Sequence, residues 1–294
     1  MSKISPQFPI YIPSKGRHEY MITSKALTKM AVPHFIIVEP QEVALYKAAV
    51  EKFKLLTTVL ELDMNYKSKY ELCDNLGLSK STGSGPARNF GWDHSISLGF
   101  DRHWMIDDNI RSFRRLNKNE KVKCTNGAFF RAMEDFVLRY TNVSMAGPHY
   151  MFFAPARSKL PPFSINTRLY SCNLIKNDVP FRWRGRYNED VILCIDMLKA
   201  GWCTIQFYGF LQEKMRTQML KGGNTDELYK GGTLDKSTML YKIHPDVTRV
   251  VHKYGRWHHH VDYTKFKKNH LIRVQKLDNL KSVDNYGMEL KIKE

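Results

Sequence analysis

The 294-residue chain is 43% hydrophobic, 12% aromatic and 26% charged, a mix that supports a buried core and excludes a disordered or fibrous polypeptide. Its 46 lysines and arginines against 29 acids leave a net charge of +17, more than solubility needs, and point to a polyanionic partner. No run approaches the ~20 apolar residues of a membrane helix, and Met1 to Pro9 lacks the apolar stretch of a signal peptide, so a cytoplasmic protein is expected.

Taken in chain order, Phe8 to Ile12 is a β-rich run stopped by Pro13-Ser14-Lys15-Gly16-Arg17, and Glu19 to Met30 has helical spacing before Pro33. His34 to Val38 is a second strand, Glu42 to Phe53 a second helix and Thr57 to Leu62 a third strand. That alternation belongs to βαβ units around a largely parallel sheet. Pro86 suits the first turn of a helix running to Gly99, and the strand His103 to Ile106 then runs directly into Asp107-Asp108-Asn109. Further on, Gly127 to Tyr140 and Glu189 to Lys199 read as helices, the latter ended by Gly201, while Tyr170 to Ile175 and Thr204 to Phe210 read as strands. Leu220 to Ser237, with four glycines among polar residues, has the composition of a mobile loop, and Lys265 to Glu294 reads as a basic arm or a small helical appendage. No repeat or linker divides the chain. The five cysteines (73, 124, 172, 194 and 203) form no C-x-x-C pair, against both a disulfide framework and a Cys-rich zinc site.

Several short motifs carry possible chemistry. Asp107-Asp108 leaves a central strand at its carboxyl end, where ligands bind in open α/β sheets, and adjacent carboxylates suit Mg²⁺ or Mn²⁺; the same residues also suit a plain turn. Gly85-Pro86-Ala87-Arg88-Asn89 places a guanidinium near a helix N-terminus, a place for an anion or simply a solvated helix start. Asn188-Glu189-Asp190 opens another helix, either as cap and dipole partner or as a source of a base. His252-Lys253-Tyr254-Gly255-Arg256-Trp257-His258-His259-His260 is dense in phosphate- and metal-binding groups. Because strand neighbours face opposite ways, one His as ligand and Arg256 as phosphate contact are favoured over a three-His site. Arg111, Arg114 and Arg115, with Phe181-Arg182-Trp183-Arg184-Gly185-Arg186, are basic clusters interleaved with aromatics, suited to phosphates and exposed bases.

Together these segments resemble a GT-A-fold glycosyltransferase, and more narrowly the phage DNA-base glycosyltransferases of the TET-associated group. Ile12 to Arg17 is similar to the nucleotide-binding loop, Gly85 to Asn89 to the Ala-Arg-Asn element, and Ile106 to Asn109 to the acidic metal motif. Asn188-Glu189-Asp190 is similar to the acceptor-side acidic motif and His252 to a late metal-binding histidine. The resemblance spans most of Ile10 to His260. It implies a Rossmann-like α/β/α sandwich with a central mixed, mostly parallel sheet over residues 1–262, and a basic extension over 263–294 packed on or beside it. Asn109 departs from a strict D-x-D pattern counted from Asp107.

On this resemblance a UDP-sugar is the donor. Pro13, Ser14, Lys15, Arg17, Arg88, Asp107 and Arg256 contact it, and Asp108 with His252 holds Mn²⁺ or Mg²⁺; if the registration differs, Asp107 and Asp108 exchange roles. Asp190, with Glu189, is the catalytic base. The acceptor is the hydroxyl of 5-hydroxymethylcytosine or a related pyrimidine in phage DNA, contacted by Arg111, Arg114, Arg115, Arg182, Trp183, Arg184, Arg186 and Trp257; from its composition and position alone, the Leu220 to Ser237 loop is expected to close over the donor. Two other readings stand beside this one: transfer to a glycan or protein, and a non-catalytic DNA-binding module on a degenerate transferase fold.

Overall fold

The computed structural model describes residues 4–77, 81–154, 160–215 and 234–274. The chain opens with β1 (Ile10–Pro13), α1 (Ile22–Lys29), β2 (His34–Val38), α2 (Val43–Phe53) and β3 (Thr57–Glu61). A short α3 (Asn65–Ser68) precedes α4 (Gly85–Ser97), which has Pro86 in its first turn and leads into β4 (Arg102–Ile106). β1 and β4 are buried along their whole length, as expected of strands covered by helices on both faces.

The second half adds the hairpin β5 (Ile110–Asn117) and β6 (Glu120–Lys123), then α5 (Ala128–Val137), β7 (Val143–Tyr150), β8 (Phe163–Ile165) and β9 (Cys172–Lys176). It continues with α6 (Glu189–Lys199), β10 (Cys203–Lys214), α7 (Leu234–Ile243) and the hairpin β11 (Thr248–Lys253) and β12 (Arg256–Val261). The β5–β6 hairpin turns on Lys118 and Asn119, both at positive φ (49° and 66°), as a two-residue turn between twisted strands requires.

The main sheet has ten strands in the order β3-β2-β1-β4-β9-β7-β10-β5-β6, with β8 paired to β10. β1 to β4 run parallel, β9 runs against them, and β7 and β10 return to the first direction. Alternation along each strand divides the core in two. Ile10, Ile12, Ile36, Val38 and Trp104 pack under α1, α2 and α5, whereas Tyr11, Ile37 and Met105 pack under α4 and α6 with Trp92 and Leu193. The protein is an α/β/α sandwich on a mixed sheet of mostly parallel strands, consistent with a GT-A-like Rossmann fold.

One expectation changes here. Leu234 to Ser237, read as loop, is the first turn of α7, because Ser237, Met239 and Leu240 are buried at helical spacing; residues 220–233 of the expected loop lie outside the described residues. The extension begins against the body: Phe266 is buried, and Asn269 donates to the carbonyls of Leu198 and Trp202 at 2.8 and 2.9 Å. Residues 275–294 lie outside the described part. No helix among the described residues is long and apolar enough to cross a membrane.

Candidate active site

The carboxyl ends of β1, β4, β7 and β10 meet the N-termini of α4 and α6 around a cleft of about 360 Å³, within the range of ~300–1,000 Å³ usual for small-ligand sites. At its floor the loop after β1 holds the acid pair after β4. Ser14 Oγ donates to Asp108 Oδ2 at 2.7 Å and Arg17 Nη1 to Asp108 Oδ1 at 2.5 Å. Ser14 is itself bonded to the Tyr46 hydroxyl at 2.8 Å, and that hydroxyl accepts from the Arg17 amide at 3.0 Å. Thr23, the second residue of α1, fixes the backbone of the pair: its Oγ1 donates to the Asp107 carbonyl (2.7 Å) and accepts from the Ile110 amide (2.8 Å).

Arg88, buried in the first turn of α4, joins the acids of two elements. Its Nη2 lies 2.7 Å from Asp107 Oδ1, its Nε 3.8 Å from Glu189 Oε1 and its Nη1 3.6 Å from Asp190 Oδ1. The other Asp107 oxygen accepts from Lys214 Nζ at 2.7 Å, and the same ammonium donates to Ser171 Oγ at 2.7 Å. Glu189 accepts from Ser84 Oγ at 2.8 Å, so the starts of α4 and α6 are tied together. Asn188, the residue before α6, adopts the left-handed conformation (φ 56°), which asparagine tolerates.

Charge separates the three central acids. Burial opposes ionisation of Asp107, but Lys214 and Arg88 beside it hold its carboxyl well below the usual range. Burial pushes Asp108 up despite Arg17 and Ser14. Asp190 rises to about 7, chiefly through burial; Glu189 and Asp107 add to the rise and Arg88 works against it. One site thus contains a firmly ionised carboxylate and one poised near neutrality, the arrangement expected where acid and base roles are divided.

The TET-Associated Glycosyltransferase family model matches residues 8–223. The chain belongs to this family. No curated protein matches the chain. The glycosyltransferase span includes Ser14, Arg17, Arg88, Asp107, Asp108, Glu189, Asp190 and Lys214, and ends before α7 and the β11–β12 hairpin. Those later elements nonetheless bring Lys236 and His259 to the same cleft.

Of the residues expected at this glycosyltransferase's donor site, Pro13, Ser14, Lys15, Arg17, Arg88, Asp107 and Asp108 line the cleft, as do Glu189 and Asp190. Lys15 is 3.3 Å from Glu39. His252 and Arg256 are elsewhere. His252 pairs across the hairpin with Trp257, their rings 5.0 Å apart, and Arg256 stands opposite Lys253 at the exposed tip. His259, paired with Val250 one same-face rung further in, is the histidine that lines the cleft. The reason is register: one rung along a strand is ~7 Å. Burial lowers the His259 pKa to about 4, leaving its imidazole neutral at physiological pH.

The basic clusters divide. Trp183 is 1% exposed and lies under the Arg88 guanidinium at 4.7 Å, so it forms inner wall and presents no face for a base. Arg186, also 1% exposed, is bonded to Asp74 at 2.7 and 3.1 Å and to main-chain carbonyls of Gly77 and Ser81; it pins a loop and does not meet solvent. Arg184 grips Asp196 through two bonds of 3.0 Å, and Arg182 lies over Trp92; both line a second cavity of about 740 Å³ beside α3 and α4. Arg111 and Arg115 on β5 are exposed, Arg114 pairs with Glu213 at 3.2 Å, and Trp257 is 42% exposed on the hairpin.

Sequence patterning did not mark Lys214, Ser84, Thr23, Ser171 or Tyr150, and it reached Lys236 and His259 only as members of a loop and of a histidine run. Lys214 ends a twelve-residue strand whose sequence is otherwise unremarkable, and only the pairing of β10 with β7 sets it beside Asp107. For His259 the signal was the triple-histidine run, which strand alternation narrowed without choosing.

The fit of a divalent ion is decided by the oxygen atoms at hand. No group of three His, Cys, Asp or Glu able to hold a metal occurs among the described residues. Asp108 and Asn109 nevertheless line the cleft together, and the buried Asn109 Oδ1 has no hydrogen-bond partner among the described residues. Hard oxygens of this kind suit an ion that takes one or two protein ligands and completes its shell from phosphate and water, the habit of Mg²⁺.

Proposed function

We propose that this glycosyltransferase transfers a sugar from a UDP-sugar to the hydroxyl of a hydroxymethylated pyrimidine in DNA, 5-hydroxymethylcytosine being the first choice, in a phage modification system. The observation that carries the reading is Arg88 bridging Asp107, at the end of β4, to Glu189 and Asp190, at the start of α6. The bridge brings the expected donor side and acceptor side of the reaction within one side chain's reach. The net charge of +17 supports a polyanionic acceptor.

Departure of a nucleoside diphosphate develops negative charge, so cations already in place at the floor contribute without reorganising at the moment of reaction. Arg17, Arg88 and Lys214 are held there by carboxylates, and Lys15 and Lys67 stand at the rim on Glu39. A divalent ion bound through Asp108 and the Asn109 amide oxygen would add neutralisation of the diphosphate. Asp190, near neutrality at about 7, takes the proton of the acceptor hydroxyl. Asp107 keeps Arg88 and Lys214 oriented, and Glu189 with Ser84 fixes the start of the helix that carries Asp190.

Mass spectrometry of hydroxymethylcytosine DNA incubated with the protein, Mn²⁺ and a panel of UDP-hexoses and UDP-pentoses tests the proposal. A mass gain of one glycosyl residue on the modified base, absent with unmodified cytosine, is expected. Transfer to a glycan or protein acceptor with DNA left unchanged would replace this acceptor while keeping the chemistry, and no turnover of any sugar nucleotide would remove the enzymatic reading.

A further inference from the structure

A 3₁₀ turn, Met151–Phe153, follows directly on β7 and holds its aromatic rings in water: Phe152 is 76% exposed and Phe153 52%. Scattered exposed apolar side chains are ordinary. These two are adjacent, stacked edge to face at 5.3 Å, and joined to the site. Phe153 packs on Tyr150 at 6.0 Å, and Tyr150 lines the cleft, its hydroxyl 2.8 Å from Ser171 Oγ, the atom that also accepts from Lys214. A continuous path of rings and hydrogen bonds therefore runs from solvent to Asp107.

The same turn is fastened to the basic hairpin. Lys121 Nζ on β6 donates to the Met151 carbonyl at 3.3 Å. The β5–β6 hairpin carries six arginines and lysines against one acid, Glu120. An exposed aromatic pair one ring removed from a cleft-lining tyrosine, and fastened to a hairpin of concentrated positive charge, matches a strand whose phosphates sit on the cations and whose bases meet the rings. Base stacking on aromatics beside a basic groove is how unpaired nucleotides are held, and phenylalanine wedges open stacked steps in duplexes.

We propose that Phe152 and Phe153 form the stacking edge for a base of the nucleic-acid acceptor, with β5–β6 as the phosphate rail. This inference rests on the DNA reading above and supplies the aromatic contact that buried Trp183 does not offer.

The test is binding of fluorescein-labelled hydroxymethylcytosine DNA, followed by anisotropy, for the parent, F152A/F153A and F152W/F153W, with UDP affinity measured by calorimetry in parallel. The double alanine variant is expected to bind DNA about 10- to 100-fold more weakly, the range for losing one or two stacked rings, with UDP affinity unchanged. The double tryptophan variant keeps parent-like binding, and its added indole fluorescence is quenched by DNA. Parent-like DNA binding by F152A/F153A would overturn the stacking edge and leave the DNA acceptor standing. A parent that binds no DNA would overturn both. If the alanine variant instead loses capture of a protein acceptor, the edge is a protein contact and the proposal fails.

Discussion

Arg88 is the residue that Asp107, Glu189 and Asp190 share. A buried guanidinium facing three carboxylates is not a strong source of net stability, since desolvation of each charge offsets most of the attraction; what it contributes is placement. Its charge, with that of Lys214, keeps Asp107 ionised and leaves Asp190 as the acid that carries a proton near neutrality. The groups facing Asp190 are Arg88 and Lys214, which lower its pKa, and Glu189 and Asp107, which raise it beyond the rise from burial. In the base role proposed for it, Asp190 must lose its proton, so kcat/KM should climb with pH through about 7. Asp190→Asn should lose that limb together with roughly 10²- to 10⁴-fold in rate. The same shift has a stability consequence. A carboxyl raised in the fold favours folding fully only below its unfolded pKa of about 4, and that contribution disappears as pH rises through about 7. Urea unfolding should therefore find Asp190→Asn more stable than the parent at pH 8 and level with it near pH 4. Equal midpoints at both pH values, or an unchanged rate profile, would remove the base assignment.

At the scale of elements, the βαβ units in the first half were legible because their patterns are local. Continuous apolar runs marked β1, β2 and β4, Pro86 marked the start of α4, and acids marked the first turn of α6. The β5–β6 hairpin and β7 were not anticipated. β5 alternates weakly and turns on Lys-Asn, not on a glycine dipeptide, while β7 contains Gly147 and Pro148, residues that depress strand propensity. The glycine has a tertiary reason: a Cβ at Gly147 would lie 2.2 Å from the Cys172 carbonyl oxygen, on the neighbouring strand beside Ser171. Gly147→Ala should consequently cost at least about 3 kcal/mol in urea unfolding, because backbone has to move. Gly91→Ala, whose nearest neighbour is the flexible end of Ile37 at 2.8 Å, should cost about 1–3 kcal/mol. A Gly147→Ala variant as stable as the parent would show that β7 and β9 do not pack this closely.

For the whole molecule, the surplus of +17 is not spent inside the cleft, where Arg17, Arg88 and Lys214 are each matched by carboxylates. Much of it lies on surfaces such as β5–β6. On the proposed DNA acceptor, binding should accordingly be dominated by phosphate contacts and fall steeply with salt, by about 0.9 in the log–log slope per phosphate neutralised. A slope steeper than about −3, corresponding to four or more phosphates, is expected from titrations between 50 and 300 mM salt. A slope near zero would mean that the surface charge does not engage the backbone.

The sequence by itself determined the α/β alternation, the burial of the first strands, the acid pair leaving β4, Arg88 at a helix start and the basic character of the chain, because each is written in neighbouring residues or in composition. Only the tertiary structure decided that Lys214 and His259 belong to the cleft, that Trp183 and Arg186 are walled in, and that His252 is one rung too far out. Those outcomes turn on strand register and on contacts between residues tens to more than a hundred positions apart, and hydrophobic periodicity within one segment contains no information about which distant partner will meet it.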